Sequence, residues 1–268
     1  MTSDAMERAR ITVDRAAEKQ RADEERRTQG WAKRAAVKRT MALQRHTGIR
    51  RFLFENGLVL AATLLFVLSF GGQIVAGHAV YNEEQREHGQ QEVGLGQYLR
   101  TGAFVEATAE NWESEFLQMG VFVVLTAFLF QRGSSESKTP EAPHPVDQRP
   151  EEAIGDPEAP GPVRRGGLSL ALYKHSLSIA LFAMFAISFA LHAAGGAAAY
   201  NEEQQEHGGS VVTTLGYLAA SHFWFESFQN WQSEFLSVAV LVLLSVWLRQ
   251  QGSPQSKPVA APHSDTGE

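Results

Sequence analysis

Charged and apolar positions are segregated along this chain rather than interleaved. No Asp, Glu, Lys or Arg occurs between Glu55 and Glu83, nor between Lys174 and Glu202, and each uncharged gap is 27 residues long. A helix needs roughly 20 residues to cross a bilayer core, so these stretches predict spanning helices at about 57–80 and 169–199. Two shorter gaps follow, 16 residues between Glu115 and Arg132 and 14 between Glu234 and Arg249. These reach only about 21–24 Å of a core about 30 Å thick. Their helices must therefore extend N-terminally, over about 104–131 and 222–250. The extension draws Asn111, Trp112 and Glu115, with Asn230, Trp231 and Glu234, into the first turns.

The pattern is duplicated. Tyr81-Asn82-Glu83-Glu84-Gln85-Arg86-Glu87-His88-Gly89 recurs as Tyr200-Asn201-Glu202-Glu203-Gln204-Gln205-Glu206-His207-Gly208, at an offset of 119. Asn111-Trp112-Glu113-Ser114-Glu115-Phe116-Leu117 matches Asn230-Trp231-Gln232-Ser233-Glu234-Phe235-Leu236 at the same offset. The expected fold is all-α: a four-helix integral membrane bundle made of two tandem, parallel two-helix repeats. The expected organisation is an N-terminal helical arm (1–50), a first membrane repeat (51–138), a disordered Pro/Glu linker (139–166), a second repeat (167–257) and a disordered tail (258–268). Seven of the ten prolines lie between Pro140 and Pro162, which marks the linker.

Whole-chain averages conceal this. A mean hydropathy of -0.21 and a pI near 5.9 look soluble because they merge uncharged spans with densely charged segments. The distribution of basic residues carries more information. Residues 1–52 hold fourteen Lys and Arg, the 81–115 loop two, the 131–174 segment six, the 200–234 loop none and the tail two. Basic residues stay on the cytoplasmic side, so both termini and the linker are expected inside and both Tyr-Asn-Glu-Glu-Gln loops outside. The acid-free stretch 31–51 suits anionic headgroups of the bilayer, rather than nucleic acid. Without cysteine there is no thiolate metal site, thiol nucleophile or disulfide.

Three groups of residues invite a chemical reading. On a helix, Glu84, Glu87 and His88 share one face, as do Glu203, Glu206 and His207. Two such faces would suit a divalent metal. The plainer reading, and the one favoured, is a polar helix extension whose His sits in the last turn, with Gly89 or Gly208 as cap. Trp112, Trp231, Tyr81 and Tyr200 read as interface anchors. Glu115 and Glu234, each followed by the apolar run of its helix, are candidate relay carboxylates. Inside the first helix of each copy the polar pair is Gln73 and His192, which excludes a symmetric histidine pair and suits helix packing.

These motifs, with Leu-Gly-x-Tyr-Leu at 95–99 and Gln-Arg-Gly-Ser-x-Glu-Ser-Lys at 131–138, resemble a bacterial family of small membrane proteins classed as a domain of unknown function. In the second copy Leu215-Gly216-Tyr217-Leu218 is one residue shorter and Gln255 replaces Glu136. The resemblance implies a bacterial inner membrane and supplies no activity, substrate or catalytic residue. No nucleophile with a base, phosphate loop or nucleotide fingerprint occurs. The expectation is a non-enzymatic scaffold or envelope component acting through its acidic outer loops, alone, as a homo-oligomer or with a membrane partner, and without a cofactor. The alternatives are a transporter or channel subunit using Glu115 and Glu234, and a metal-binding protein using the loop faces.

Overall fold

The computed structural model describes residues 47–267, together with 33, 37 and 41. Most of the N-terminal arm, and with it most of the 31–51 headgroup segment, lies outside the described residues. Every regular element among them is helical: α1 (Gly48–Glu55), α2 (Gly57–Glu87), α3 (Leu95–Tyr98), α4 (Gly102–Phe128), α5 (Gly161–Arg165), α6 (Gly167–Tyr173), α7 (Ser176–Glu206), α8 (Thr214–Leu218) and α9 (Ser221–Leu244). Helices α2 and α7, 31 residues each, are long and apolar enough to cross a membrane. Both run on through the Tyr-Asn-Glu-Glu-Gln segment. Helices α4 and α9 begin at Gly102 and Ser221, ahead of the Asn-Trp pair in each, so that pair lies inside the helix.

The chain divides into two units, residues 1–73 and 74–268. In the first, α1 carries an exposed Arg51–Glu55 pair at 2.7 Å, and Phe66 stacks on Phe70 one turn apart along α2. Its large apolar side chains, among them Leu58, Leu64, Leu65 and Leu68, are exposed.

The second unit is organised by α4 packed along α7, with α9 against α4 and the short α8 against both α7 and α9. Glycine makes the α4–α7 contact close. A Cβ on Gly102 would strike the backbone of Ala198 and Ala199, and one on Gly195 would lie 2.7 Å from the backbone nitrogen of Glu106. Small residues at a contact let two helix backbones approach closely. Here the approach also carries the Glu106 side chain across to α7. The buried residues of α7 are Ser188, His192, Ala193, Gly195, Gly196 and Ala197, gathered in its second half.

Where the sequence predicts a structureless linker and tail, the structure places short ordered pieces. Prolines at the first helical position start 3-10 turns at Pro145–Asp147 and Pro150–Ala153, and Lys138 ties the first of them down through Asp147 at 2.6 Å. The Lys138 ammonium holds the Asp147 carboxyl below its ordinary range. After each second helix the same turn recurs. The backbone nitrogen of Gln131 donates to Ser137 Oγ at 2.8 Å, and that of Gln250 to Ser256 Oγ at 2.9 Å. In the tail, Lys257 is 1 % exposed and donates to the carbonyls of Pro262, His263 and Asp265.

Candidate functional site

The repeated outer segments are held by local bonds and by contacts between the two loops, where Gln90 donates to Glu206 at 2.7 Å and His88 Nδ1 stands 3.8 Å from the same carboxylate. Asn82 accepts from the backbone nitrogen of Val93 and donates to its carbonyl, at 2.8 and 3.0 Å. Asn201 does the same to Val212 at 2.7 and 2.8 Å. These clasps fold the following loop back so that Tyr98 lies over Gly77, and Tyr217 over Gly196. Gly77 thus makes room for a tyrosine from a short neighbouring helix, and Gly196 for both Tyr217 and the Glu106 carboxylate of α4. Burial raises the pKa of both hydroxyls, assisted at Tyr217 by its bond to Glu226, so both keep their proton.

His88 and His207 each donate Nδ1–H to the carbonyl four residues back, Glu84 and Glu203, both at 2.9 Å. Gly89 and Gly208 follow at φ 71° and 70°, and the backbone nitrogens of Gln90 and Gly209 reach back to the carbonyls of Gln85 and Gln204. This is the glycine-capped helix end, in which carbonyls left over by the last turn are satisfied locally. The two imidazoles meet edge to face with centroids 6.0 Å apart, but each Nδ1 is committed to its own helix end.

The remaining predicted residues are placed as follows. Tyr81 is buried and donates to Glu202 at 2.6 Å, joining the ends of α2 and α7. Tyr200 packs on Tyr217 and His222. Trp112 is partly exposed, whereas Trp231 donates its indole N–H inward to Glu113 at 3.0 Å. Asn111 and Asn230 cap carbonyls of their own helices, Ala107 and Glu226. Glu115 is exposed and Glu234 half-buried. Gln73 closes the first unit, exposed on α2. Among the predicted polar residues, His192 enters the cluster described next, and Asn230 hydrogen-bonds one of its acids, Glu110.

His192 is fully buried and is the hub of an acidic constellation. Its Nδ1 bonds Glu113 Oε2 at 2.7 Å, and neither side chain has any exposed surface. Its Nε2 faces Glu226 at 3.4 Å and Glu110 at 3.9 Å. Tyr217 bridges the far side, its hydroxyl donating to Glu226 at 2.8 Å and standing 3.1 Å from Glu106. Ligand-capable atoms of Glu106, His192 and Glu226 all lie within 4.8 Å of one another. Local geometry explains the convergence. Glu106, Glu110 and Glu113 are spaced i, i+4 and i+7, one face of α4, and the glycine contact presses that face on the part of α7 that carries His192. Phe223, buried against the His192 ring at 4.7 Å between centroids, walls off one side. Glu110 and Glu226 keep 24 % and 18 % of their side-chain surface exposed, and His222, 56 % exposed, holds Glu226 from outside at 3.0 Å. The cluster is closed at Glu113 and open at Glu110 and Glu226.

Glu106, Glu110, Glu113, Glu226 and Tyr217 are not among the residues the sequence singles out. The second copy has Phe225, Gln229 and Gln232 where the first has Glu106, Glu110 and Glu113, and Ala107 stands opposite Glu226. A reading built on what the copies share therefore passes over all four acids.

A family model described as Domain of unknown function (DUF6766) matches residues 49–268. No curated protein and no solved structure matches the chain.

Proposed function

Because the chain belongs to a family defined only as a domain of unknown function, we propose its function from the buried cluster: a multi-pass bacterial inner-membrane protein, not an enzyme, that takes up a cation between α4, α7 and α9. The observation that carries this reading is the convergence of Glu106, Glu110, Glu113 and Glu226 on one buried imidazole. Four acids around one base leave an excess of negative charge where solvation is poor. A low-dielectric interior tolerates that excess only when a proton or a bound cation offsets it.

In this reading α4 and α9 also cross the bilayer. At 27 and 24 residues they reach about 40 and 36 Å, more than the roughly 30 Å core. The distribution of basic residues puts the termini inside and the open side of the cluster outside. The cation is therefore captured from the external face. The outer loops, the expected seat of a scaffold role, spend their repeated residues on caps and clasps, which leaves the cluster as the feature that calls for a function.

Thermal unfolding of the purified protein in detergent, across Na+, K+, Ca2+, Mn2+ and Zn2+, tests the proposal. At least one cation is expected to raise the midpoint, and a Glu110→Gln, Glu226→Gln double variant to lose most of that rise. A midpoint indifferent to every cation, or equal shifts in the variant, would remove the cation from the account.

A further inference from the structure

We infer that the cation is a divalent transition metal, held by His192 Nε2 and by carboxylate oxygens of Glu106 and Glu226, with Glu110 within reach of the same ion. This rests on the cation reading above and narrows it to one chemical class.

The distances suit such an ion. Bonds of about 2.0–2.2 Å to nitrogen and oxygen place neighbouring ligands of a tetrahedral ion about 3.4 Å apart. His192 Nε2 and Glu226 Oε2 already stand at 3.4 Å, Glu110 Oε2 is 3.9 Å from the same nitrogen, and the full set of Glu106, His192 and Glu226 atoms fits within 4.8 Å. Small side-chain rotations close the remainder without moving a helix.

The surroundings of the imidazole point the same way. A metal-binding histidine typically gives its other nitrogen to a carboxylate, which fixes the ring and its tautomer. Glu113 fills that role at 2.7 Å, is itself held by the Trp231 indole N–H at 3.0 Å, and is as fully buried as His192. The Tyr217 hydroxyl lies between the two carboxylates, donating to Glu226 at 2.8 Å and 3.1 Å from Glu106. Each inner group thus has an outer partner, which an incidental cluster of acids does not require.

The donor set narrows the choice of ion. An imidazole among carboxylates suits zinc, manganese, iron or cobalt, whereas magnesium, calcium and the alkali ions favour oxygen throughout. Absence of cysteine removes the thiolate ligands that would select copper(I). The partial exposure of Glu110 and Glu226 leaves a side on which water or an incoming ligand can reach the ion.

The test uses tag-free, full-length protein in detergent, stripped with chelator and then loaded with Co2+ or Zn2+. One ion per chain is expected to survive desalting, and the Co2+ form to show visible absorption unlike that of the aqueous ion. Affinity should fall at least tenfold in Glu226→Gln and in His192→Gln, the latter importing the residue of the first copy at Gln73. Circular dichroism and elution volume show whether each variant is folded, and the more conservative Glu226→Gln decides if His192→Gln is not. Transition-metal binding unchanged in a folded variant would overturn the inference by placing the ion elsewhere. Stabilisation by Na+ or Ca2+ alone, lost in Glu226→Gln, would overturn the metal class and leave the cation reading standing. Indifference to every ion would end both.

Discussion

Glu113 on α4 and His192 on α7 face each other at 2.7 Å with no exposed surface on either side chain, so the bond between them fixes which imidazole nitrogen turns toward Glu106, Glu110 and Glu226. Breaking a buried pair by removing one partner typically costs about 3–5 kcal/mol, whereas replacing both by apolar residues is often neutral. Glu113→Ala and His192→Ala are each expected to destabilise by that order. Glu113→Leu combined with His192→Leu should recover part of the loss, because the Trp231 indole N–H and Glu226 then lose the partners they have at 3.0 and 3.4 Å. Unfolding in mixed micelles measures all three, and a double variant no more stable than either single would show that the pair is not a closed interaction.

The close approach of α4 and α7 makes a second prediction. Gly195→Ala sets a methyl group 2.7 Å from the Glu106 backbone nitrogen, and overpacking of this kind costs about 1–3 kcal/mol. Gly71 also lies inside a long helix but has open space around it. Gly71→Ala should be neutral or stabilise by up to about 1 kcal/mol. Similar midpoints for the two variants would mean that the helices separate easily.

The outer histidines should behave as caps. His88→Ala combined with His207→Ala removes one hydrogen bond at each helix end, costing about 0.5–1.5 kcal/mol per bond, and should leave bound metal unchanged. Metal loss in this variant with the Glu226→Gln protein still loaded would move the site to the loops.

A reporter active only outside the cytoplasm tests the orientation. Fused within the loop near Gly94 it should be active, and fused at Glu268 it should be silent, because basic residues crowd the segments assigned to the inside. Activity at Glu268 would reverse the membrane orientation and with it the side from which the cation enters.

Helices α2 and α7, long and apolar enough to cross a membrane, are legible in the sequence from charge-free runs of 27 residues. The caps are legible too, since Gly89 and Gly208 stand where a left-handed residue must end a helix. The cluster is not. Glu106, Glu110 and Glu113 are visible as one acidic face in an otherwise apolar helix, a pattern that marks function in membranes, but neither spacing nor composition says which helix meets that face. That depends on Gly102 and Gly195 allowing contact between helices about ninety residues apart in the chain. Glu115 attracts attention instead, yet it lies two residues beyond Glu113, about 200° around the helix, and so points away from His192.

The cluster draws three carboxylates from α4, in the first copy, and its imidazole, hydroxyl and fourth carboxylate from α7, α8 and α9, in the second. Gln73 and Ala107 occupy the places of His192 and Glu226 in the first copy, and Phe225, Gln229 and Gln232 those of the three glutamates in the second. The halves have ceased to be interchangeable and have become complementary. A chain severed in the 139–166 segment would regain its cluster when both fragments are made together, whereas two molecules of either fragment alone would lack half of the groups it needs. Each of the two matching segments supplies groups that the other lacks.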